Sequence, residues 1–328
     1  MSLETELEAI RTGAAIYPLT DRAFLRITGS DATRWLNGMV TNSIQDLKPG
    51  EGNYNFLLNA QGRIQGDCHI YREPTEGDAT FLLETDKSQL ETIQALLDKF
   101  IIMDDVELIP TPSNNQTVLL IGSNAVTLLH AYYQSSRGPD LSTLPANRLA
   151  FHEEYVQQIT TRPDGSHIAF EITNSSPEFF MKFMREHGAV DVSSEAIEAH
   201  RILSGTPKYG IDIRNTDTAK DLPQETNQTH ALHFNKGCYL GQEIVERIRS
   251  RGQVHRLFTT FTLTGAVPTE LPAPLEATLA GQTRPAGDIT SAMKIGDTIH
   301  ALGYLRREFA TQPLTYPGGA ATPKKPSL

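Results

Sequence analysis

The chain has 328 residues and a formal net charge of −10. That length exceeds what one hydrophobic core usually holds, so two or three domains are expected. The acidic balance disfavours tight nucleic-acid binding by the whole surface, so no direct nucleic-acid partner is expected; no run of about eighteen apolar residues is present to span a membrane.

In chain order, Met1 to Arg11 alternates acids with leucines and reads as the first turns of a helix. It lacks the basic-then-apolar order of a signal peptide, so the cytoplasm is the expected compartment. Ala23 to Thr28 alternates as a strand. Gly29-Ser30-Asp31 then caps a helix with Trp35, Leu36 and Met39 at helical spacing. Trp35, the only tryptophan, reads as a core anchor. Two strands flank the turn Asn59-Ala60-Gln61-Gly62. Thr80 to Glu84 is a short strand, and Ser88 to Phe100 is an amphipathic helix. Val106 to Ile109 is a strand before the breaker Pro110 to Asn115.

The pattern then restarts. A strand at Val118 to Ile121 leads through a cap to a helix at Ala125 to Tyr133. Strands near Asn147–Phe151, Tyr155–Thr160 and His167–Ile172 follow, with a short helix at Pro177 to Glu186 and another at Glu195 to Ser204. Strands alternating with crossing helices give an α+β class. From Val254 the strand-like runs Leu257–Leu263, Glu276–Leu279, Asp288–Ser291 and Ile299–Tyr304 are joined by Gly/Pro-rich turns, the pattern of a small β-barrel. Gln312 to Leu328, with four prolines, reads as a tail, extended or disordered at its end. No strong self-association stripe is visible, so a monomer is expected.

The chain has two cysteines, Cys68 and Cys238, and no CxxC pair. That rules out a disulfide framework, and a closed structural zinc site needs about four ligands. Cys238 lies in Asn235 to Gly252, where Ile244, Val245 and Ile248 recur at helical spacing and Glu243 stands four residues before Arg247. Cys238 is thus placed in a loop before a helix, or on its first turn, with Lys236 two residues away. Both the helix end and the lysine favour a thiolate, the nucleophilic and metal-binding form. The plain alternative is a buried, inert cysteine. The basic run Arg247, Arg249, Arg251, His255 and Arg256 is either a solvated helix end or a cradle for a polyanionic ligand tail.

The string Lys236-Gly237-Cys238-Tyr239-Leu240-Gly241-Gln242-Glu243 resembles the signature of the YgfZ family, folate-binding proteins related to the T-protein of glycine cleavage. Further blocks carry the resemblance: Ile27 to Ala32 with Trp35 to Asn42, Asn59 to Ile64, Arg201 to Gly205 with Tyr209 to Asp212, Gly287 to Ser291, and Leu302 to Tyr304. The resemblance covers nearly the whole chain except about the last fifteen residues. It implies a three-domain cloverleaf around a central folate-binding hole. Two α+β subdomains, about 1–50 with 110–190 and 51–109 with 191–252, would precede a barrel at 253–311. The implied cofactor is tetrahydrofolate or a derivative. The implied role is assembly or repair of iron–sulfur clusters, with cluster-bearing proteins as partners and effects on tRNA modification.

The same resemblance assigns residues. Cys238 is the family's key thiol. Lys236, Gly237, Tyr239, Gln242, Glu243 and Asn42 are carried over as folate-binding positions. Asp67 aligns with the transferase's catalytic acid, whereas Gly66 stands where the transferase has a second carboxylate. Its alternative is a solvent-facing strand residue. Arg201 matches the arginine that grips folate, and a guanidinium suits a carboxylate bidentately; its alternative is an ion pair with Glu198. Glu171 is a folate-binding candidate in a segment that departs from the family pattern, and alternation equally allows it an exposed strand face. Asp67 keeps a second activity open, that of a tetrahydrofolate-dependent aminomethyltransferase.

Overall fold

Two α+β sheets and a barrel follow from these patterns. The structure is a computed structural model and describes residues 1–324 other than 76, 112–114, 134–143, 153–156, 166, 175, 218 and 280, with only the backbone of Arg251. Parts of three expectations lie outside the described residues: the middle of the breaker at 110–115, the start of the strand at 155–160, and the last four residues of the tail. The chain divides into two compact units. The first holds Met1–Leu57, Gly66–Ala196 and Asn235–Leu240; the second holds Leu58–Gln65, Ile197–Phe234 and the chain from Gly241 onward.

In the first unit one sheet contains β1 (Ala15–Leu19), β7 (Gln116–Ile121), β8 (Leu149–His152), β9 (Gln157–Asp164), β10 (His167–Asn174) and β11 (Val190–Asp191), in the order β11-β1-β7-β10-β9-β8. Only β1 and β11 run parallel. Ile16, Leu120, Phe170 and Ile172 pack under α4 (Ala125–Tyr133) and α5 (Glu178–Glu186), whose Leu129, Phe180 and Met184 complete that core.

The second sheet has the order β3-β4-β5-β2-β6, with β2 (Arg22–Thr28), β3 (Gly52–Leu58), β4 (Ile64–Arg72), β5 (Phe81–Asp86) and β6 (Glu107–Pro110). Strand β4 alternates: Cys68 and Ile70 enter a core with Trp35 and Leu36 of α2 (Ala32–Met39) and with Ile93 and Leu97 of α3 (Lys87–Asp98). Asp67, His69 and Tyr71 therefore share the opposite face, since successive strand residues point to opposite sides. Placing β2 with residues 110–190 is corrected here. It pairs with β5 and β6 (Arg22↔Asp86, Ile27↔Phe81, Ile27↔Leu108). Alternation identifies a strand but not its sheet, because the partners lie tens of residues away.

The second unit contains a closed barrel in the order β12-β15-β14-β13-β16-β17. Its strands are β12 (Arg256–Gly265), β13 (Ala273–Leu279), β14 (Gln282–Ile295), β15 (Thr298–Arg306), β16 (Leu314–Tyr316) and β17 (Gly319–Pro323). The tail expected from Gln312 is thus corrected: β16 and β17 close the barrel by pairing with β13 and β12. Leu314, Tyr316 and Ala321 are buried in its core. Composition averaged over the Pro/Gly-rich segment hides a period-two alternation this short, and closure removes an open sheet edge. Among the described residues no helix is long and apolar enough to cross a membrane.

Candidate functional site

Asp67 projects from the face of β4 opposite the α2/α3 core and is half-buried. Its Oδ2 accepts a hydrogen bond from the Tyr54 hydroxyl of β3 at 2.6 Å. Its Oδ1 accepts from Gln89 Nε2 of α3 at 2.8 Å, and its own N–H donates to Gln89 Oε1 at 3.0 Å. Burial pushes the Asp67 carboxyl above the usual carboxylate range; the bonds from Tyr54 and Gln89 oppose that rise without cancelling it. Burial, then the nearby Asp67 charge, also pushes the Tyr54 hydroxyl well up. The expected alternative, a solvent-facing Asp67, does not describe this environment. At Gly66 a Cβ would lie 3.0 Å from Ile93 and 3.4 Å from Gln89 Oε1. A side chain there would need Ile93 to give way by a few tenths of an ångström.

Asn42 is tied to the same strand. Its backbone N–H donates to Asn55 Oδ1 at 2.9 Å and its side-chain amide to the Tyr54 carbonyl at 3.1 Å. Its carbonyl accepts from Lys236 Nζ at 2.5 Å, and the Val40 carbonyl accepts from the same ammonium at 2.7 Å. Asp67, Asn42 and Lys236 are thus brought together through Tyr54.

Glu171 is buried, not on an exposed strand face. It belongs to a four-residue charged cluster. Arg22 Nε of β2 lies 3.5 Å from Glu84 and 3.4 Å from Glu171. Arg162 of β9 lies 2.5 Å from Glu84 and 3.7 Å from Glu171, and its guanidinium stacks over Tyr71. Burial pushes the Glu84 carboxyl up, more than the arginines pull it down. Glu171 feels the same burial, but Arg22 and Arg162 outweigh it and hold its carboxyl low. The two acids therefore keep one proton between them, on Glu84, because like charges this close resist double ionisation. Glu84 Oε1 and Glu171 Oε2 receive no well-directed hydrogen bond among the described residues.

The signature straddles the two units, with the break between Leu240 and Gly241. Gly237 and Cys238 are exposed, whereas Lys236 and Tyr239 are buried. Cys68, the other thiol, is buried, and burial pushes it well above the ordinary thiol range. The inert-cysteine alternative thus describes Cys68 and not Cys238. The Lys236 ammonium is engaged by the Val40 and Asn42 carbonyls and the face of the Tyr239 ring, 5.1 Å to the centroid. Burial pulls it down to about 7, with Asp46 the one charge opposing. Helix α7 (Gln242–Arg251) begins four residues after Cys238. Gly241 caps it at φ +82°, where a Cβ would stand 2.6 Å from the Asn59 carbonyl, so the position requires glycine.

In the second unit, Gln242 is half-buried at the start of α7. Glu243 forms an exposed 2.9 Å ion pair with Arg247, and Arg249 pairs with Glu246 and stacks on Phe234. Arg256 is turned inward to Asp221 and Glu225. The basic run is therefore largely self-paired; the side chain of Arg251 lies outside the described residues. Arg201, on α6 (Ser194–Ser204), donates to Glu198 twice, to the Thr206 carbonyl, to Asp212 and to Ser291 Oγ. Those five bonds match the five donors a guanidinium has, so its Glu198 pairing prevails and no donor stays open for a folate carboxylate.

Sequence reasoning missed Tyr54, Gln89, Glu84, Arg22 and Arg162. The one available signal was an alternation that places Tyr54 on a half-buried strand face. Among the described residues no group of three or more His, Cys, Asp or Glu side chains is gathered as metal ligands would be.

Residues 1–226 match the family described as GCVT N-terminal domain. A Neurospora crassa protein named iron-sulfur cluster assembly factor IBA57 homolog, mitochondrial, is 26% identical over 279 residues, 83% of this chain. The match takes in 58% of that relative's length, and 57% of the like-named protein of Mycosarcoma maydis. An aminomethyltransferase of Anoxybacillus flavithermus is 26% identical over 271 residues, 78% of this chain and 70% of its own. The crystal structure of glycine cleavage system aminomethyltransferase T from Bartonella henselae superposes with a TM-score of 0.81 at 18% identity, covering 98% of this chain and 87% of that one. The fold, mixed α/β with a closed six-stranded barrel, is therefore that of the aminomethyltransferase.

Proposed function

The chain belongs to the GCVT N-terminal domain family, and from that premise we propose that it is a folate-binding accessory protein for iron–sulfur cluster assembly or repair, with Cys238 as its working group. The observation that carries this reading is the thiol itself. Cys238 is exposed on a loop of the eight-residue signature, while Cys68 is sealed in the core of the second sheet. An accessible thiol is the group that can take up iron or sulfur. Relatives named as iron–sulfur cluster assembly factors support the reading. Membership of the YgfZ branch, an effect on tRNA-modifying enzymes that carry clusters, and a cytoplasmic location belong to the same proposal. A tagged chain recovered from mitochondria would overturn the location.

Tetrahydrofolate is the ligand we infer for the first unit. Glu171, held in its charged form by Arg22 and Arg162, has in Oε2 a buried acceptor without a well-directed donor among the described residues, and a pterin ring presents N–H donors that would satisfy it. Bound there, folate would supply a carrier for one-carbon units. The chain's own contribution is to hold that acceptor in place through Arg22 and Arg162. Calorimetric titration with tetrahydrofolate is expected to show saturable binding, weakened by Glu171→Gln, and a raised melting temperature by mass action. Absence of saturable heat would remove folate from the proposal.

A second reading, aminomethyl transfer, is favoured by one observation: Asp67 is a half-buried carboxyl with a raised proton affinity, oriented by Tyr54 and Gln89. Gly66, in place of a second carboxylate, counts against it. Catalytic formation of methylenetetrahydrofolate from an aminomethyl-lipoyl carrier would establish this reading over the first.

A further inference from the structure

A helix leaves its last carbonyls without intrahelical partners. At the end of α2 and just beyond it, three donors arrive from one short loop. Leu240 N–H donates to the Gly38 carbonyl at 3.1 Å, and Lys236 Nζ donates to the carbonyls of Val40 at 2.7 Å and Asn42 at 2.5 Å. A cation is the favourable charge at that end of a helix. Lys236 is 7% exposed, and its ammonium also rests on the Tyr239 ring, which is buried with it. The nearby Asp46 opposes the effect of burial on the ammonium.

We propose that Lys236 is a positioning residue that fastens the loop 236–240 to the end of α2 and so fixes where Cys238 is presented. A lysine serving to activate the thiol would turn its head to the sulfur. A lysine serving to grip a ligand would keep donors toward open space. This one gives its head to two main-chain carbonyls and a ring face. The loop between its two anchors, Lys236 and Leu240, carries exposed Gly237 and Cys238, so the thiol is held out on a short pinned arch. The anchoring also reaches Asp67. The Asn42 that accepts from Lys236 donates to the Tyr54 carbonyl, and the Tyr54 hydroxyl holds Asp67.

The consequence for activity rests on Cys238 being the working group; the docking does not, and it can be measured alone. Hydrogen exchange by NMR on the full chain reads the Leu240 amide, which the docked loop protects. Lys236→Met keeps the side-chain length and removes the donors. It is expected to speed Leu240 exchange about tenfold, as loss of one or two net hydrogen bonds implies, with the amides of β4 and the barrel unchanged. Unaltered Leu240 protection would overturn the proposal. Wild type gives an independent readout if the variant does not fold. In wild type the Leu240 amide, which donates to the Gly38 carbonyl, should exchange more slowly than the amide of exposed Gly237 on the same loop. Equal rates would overturn the proposal equally. If Cys238→Ala sustains full cellular function while Lys236→Met still frees Leu240, the functional reading falls and the fastener stands.

Discussion

Gln89 holds Asp67 at two points. Its Oε1 accepts from the Asp67 N–H at 3.0 Å and its Nε2 donates to Asp67 Oδ1 at 2.8 Å. Only one orientation of the amide satisfies both, so the carboxylate is fixed on its strand before any ligand arrives. Gln89→Leu should leave the carboxylate short of a donor and cost about 1–3 kcal/mol in denaturant unfolding. Tyr54→Phe should raise the Asp67 proton affinity further, because the hydroxyl bond favours the charged form. A carbon-detected NMR titration of Asp67 reads the second effect directly; an unmoved midpoint would show that Tyr54 does not hold the charge.

The charged cluster of Arg22, Glu84, Arg162 and Glu171 predicts a stability that falls as the pH rises from the ordinary carboxylate range to about 8. Glu84 binds its proton more tightly folded than unfolded, up to about 8. Its contribution is therefore complete below the ordinary carboxylate range and is lost as the pH rises through about 8. Glu171 is held low by the arginines, so its contribution is lost only in acid. On a guanidinium series, wild-type stability should fall between about pH 4.5 and 8, the window between the ordinary Glu84 value and its buried one. Glu84→Gln, which cannot ionise, should lose that slope. Parallel profiles for the two proteins would contradict the placement of the proton on Glu84.

The barrel predicts a strict requirement for its last strands. Ending the chain at Thr311 would strip β12 and β13 of their partners β17 and β16 and expose the core lined by Leu314, Tyr316 and Ala321. The truncated chain should aggregate or melt at a lower temperature, because open apolar strand edges pair with other chains. A soluble truncated protein with the wild-type melting temperature would show that closure is dispensable.

What was legible in the sequence was local. The period-two runs from Leu257 to Tyr304 became barrel strands, and the stripe at Ile93 and Leu97 became the buried face of α3. Cys238 was readable as a loop residue ahead of a helix because Gly241 and the spacing of Ile244, Val245 and Ile248 mark where α7 begins. What was not legible depends on partners distant in the chain. Lys236 stands two residues from Cys238 yet binds carbonyls almost two hundred residues earlier. Arg201 looks like an open cation until Asp212 and Ser291 arrive from outside its helix. Glu171 reads as one acid on an alternating strand, and nothing near it in sequence announces Glu84 or Arg22. The last two strands were masked by composition: three inward residues suffice to close a barrel but do not shift an average over the segment.

The exposed Cys238 thiol is the centre of the proposed function, and one measurement tests it most directly. Cells lacking their own protein of this family are supplied with the Cys238→Ala protein, and the activity of a cluster-dependent enzyme is assayed against the wild-type chain. Cys238 is exposed, so the variant should fold and melt as wild type while the cluster enzyme stays inactive. Full enzyme activity with the folded variant would contradict the claim that Cys238 does the work.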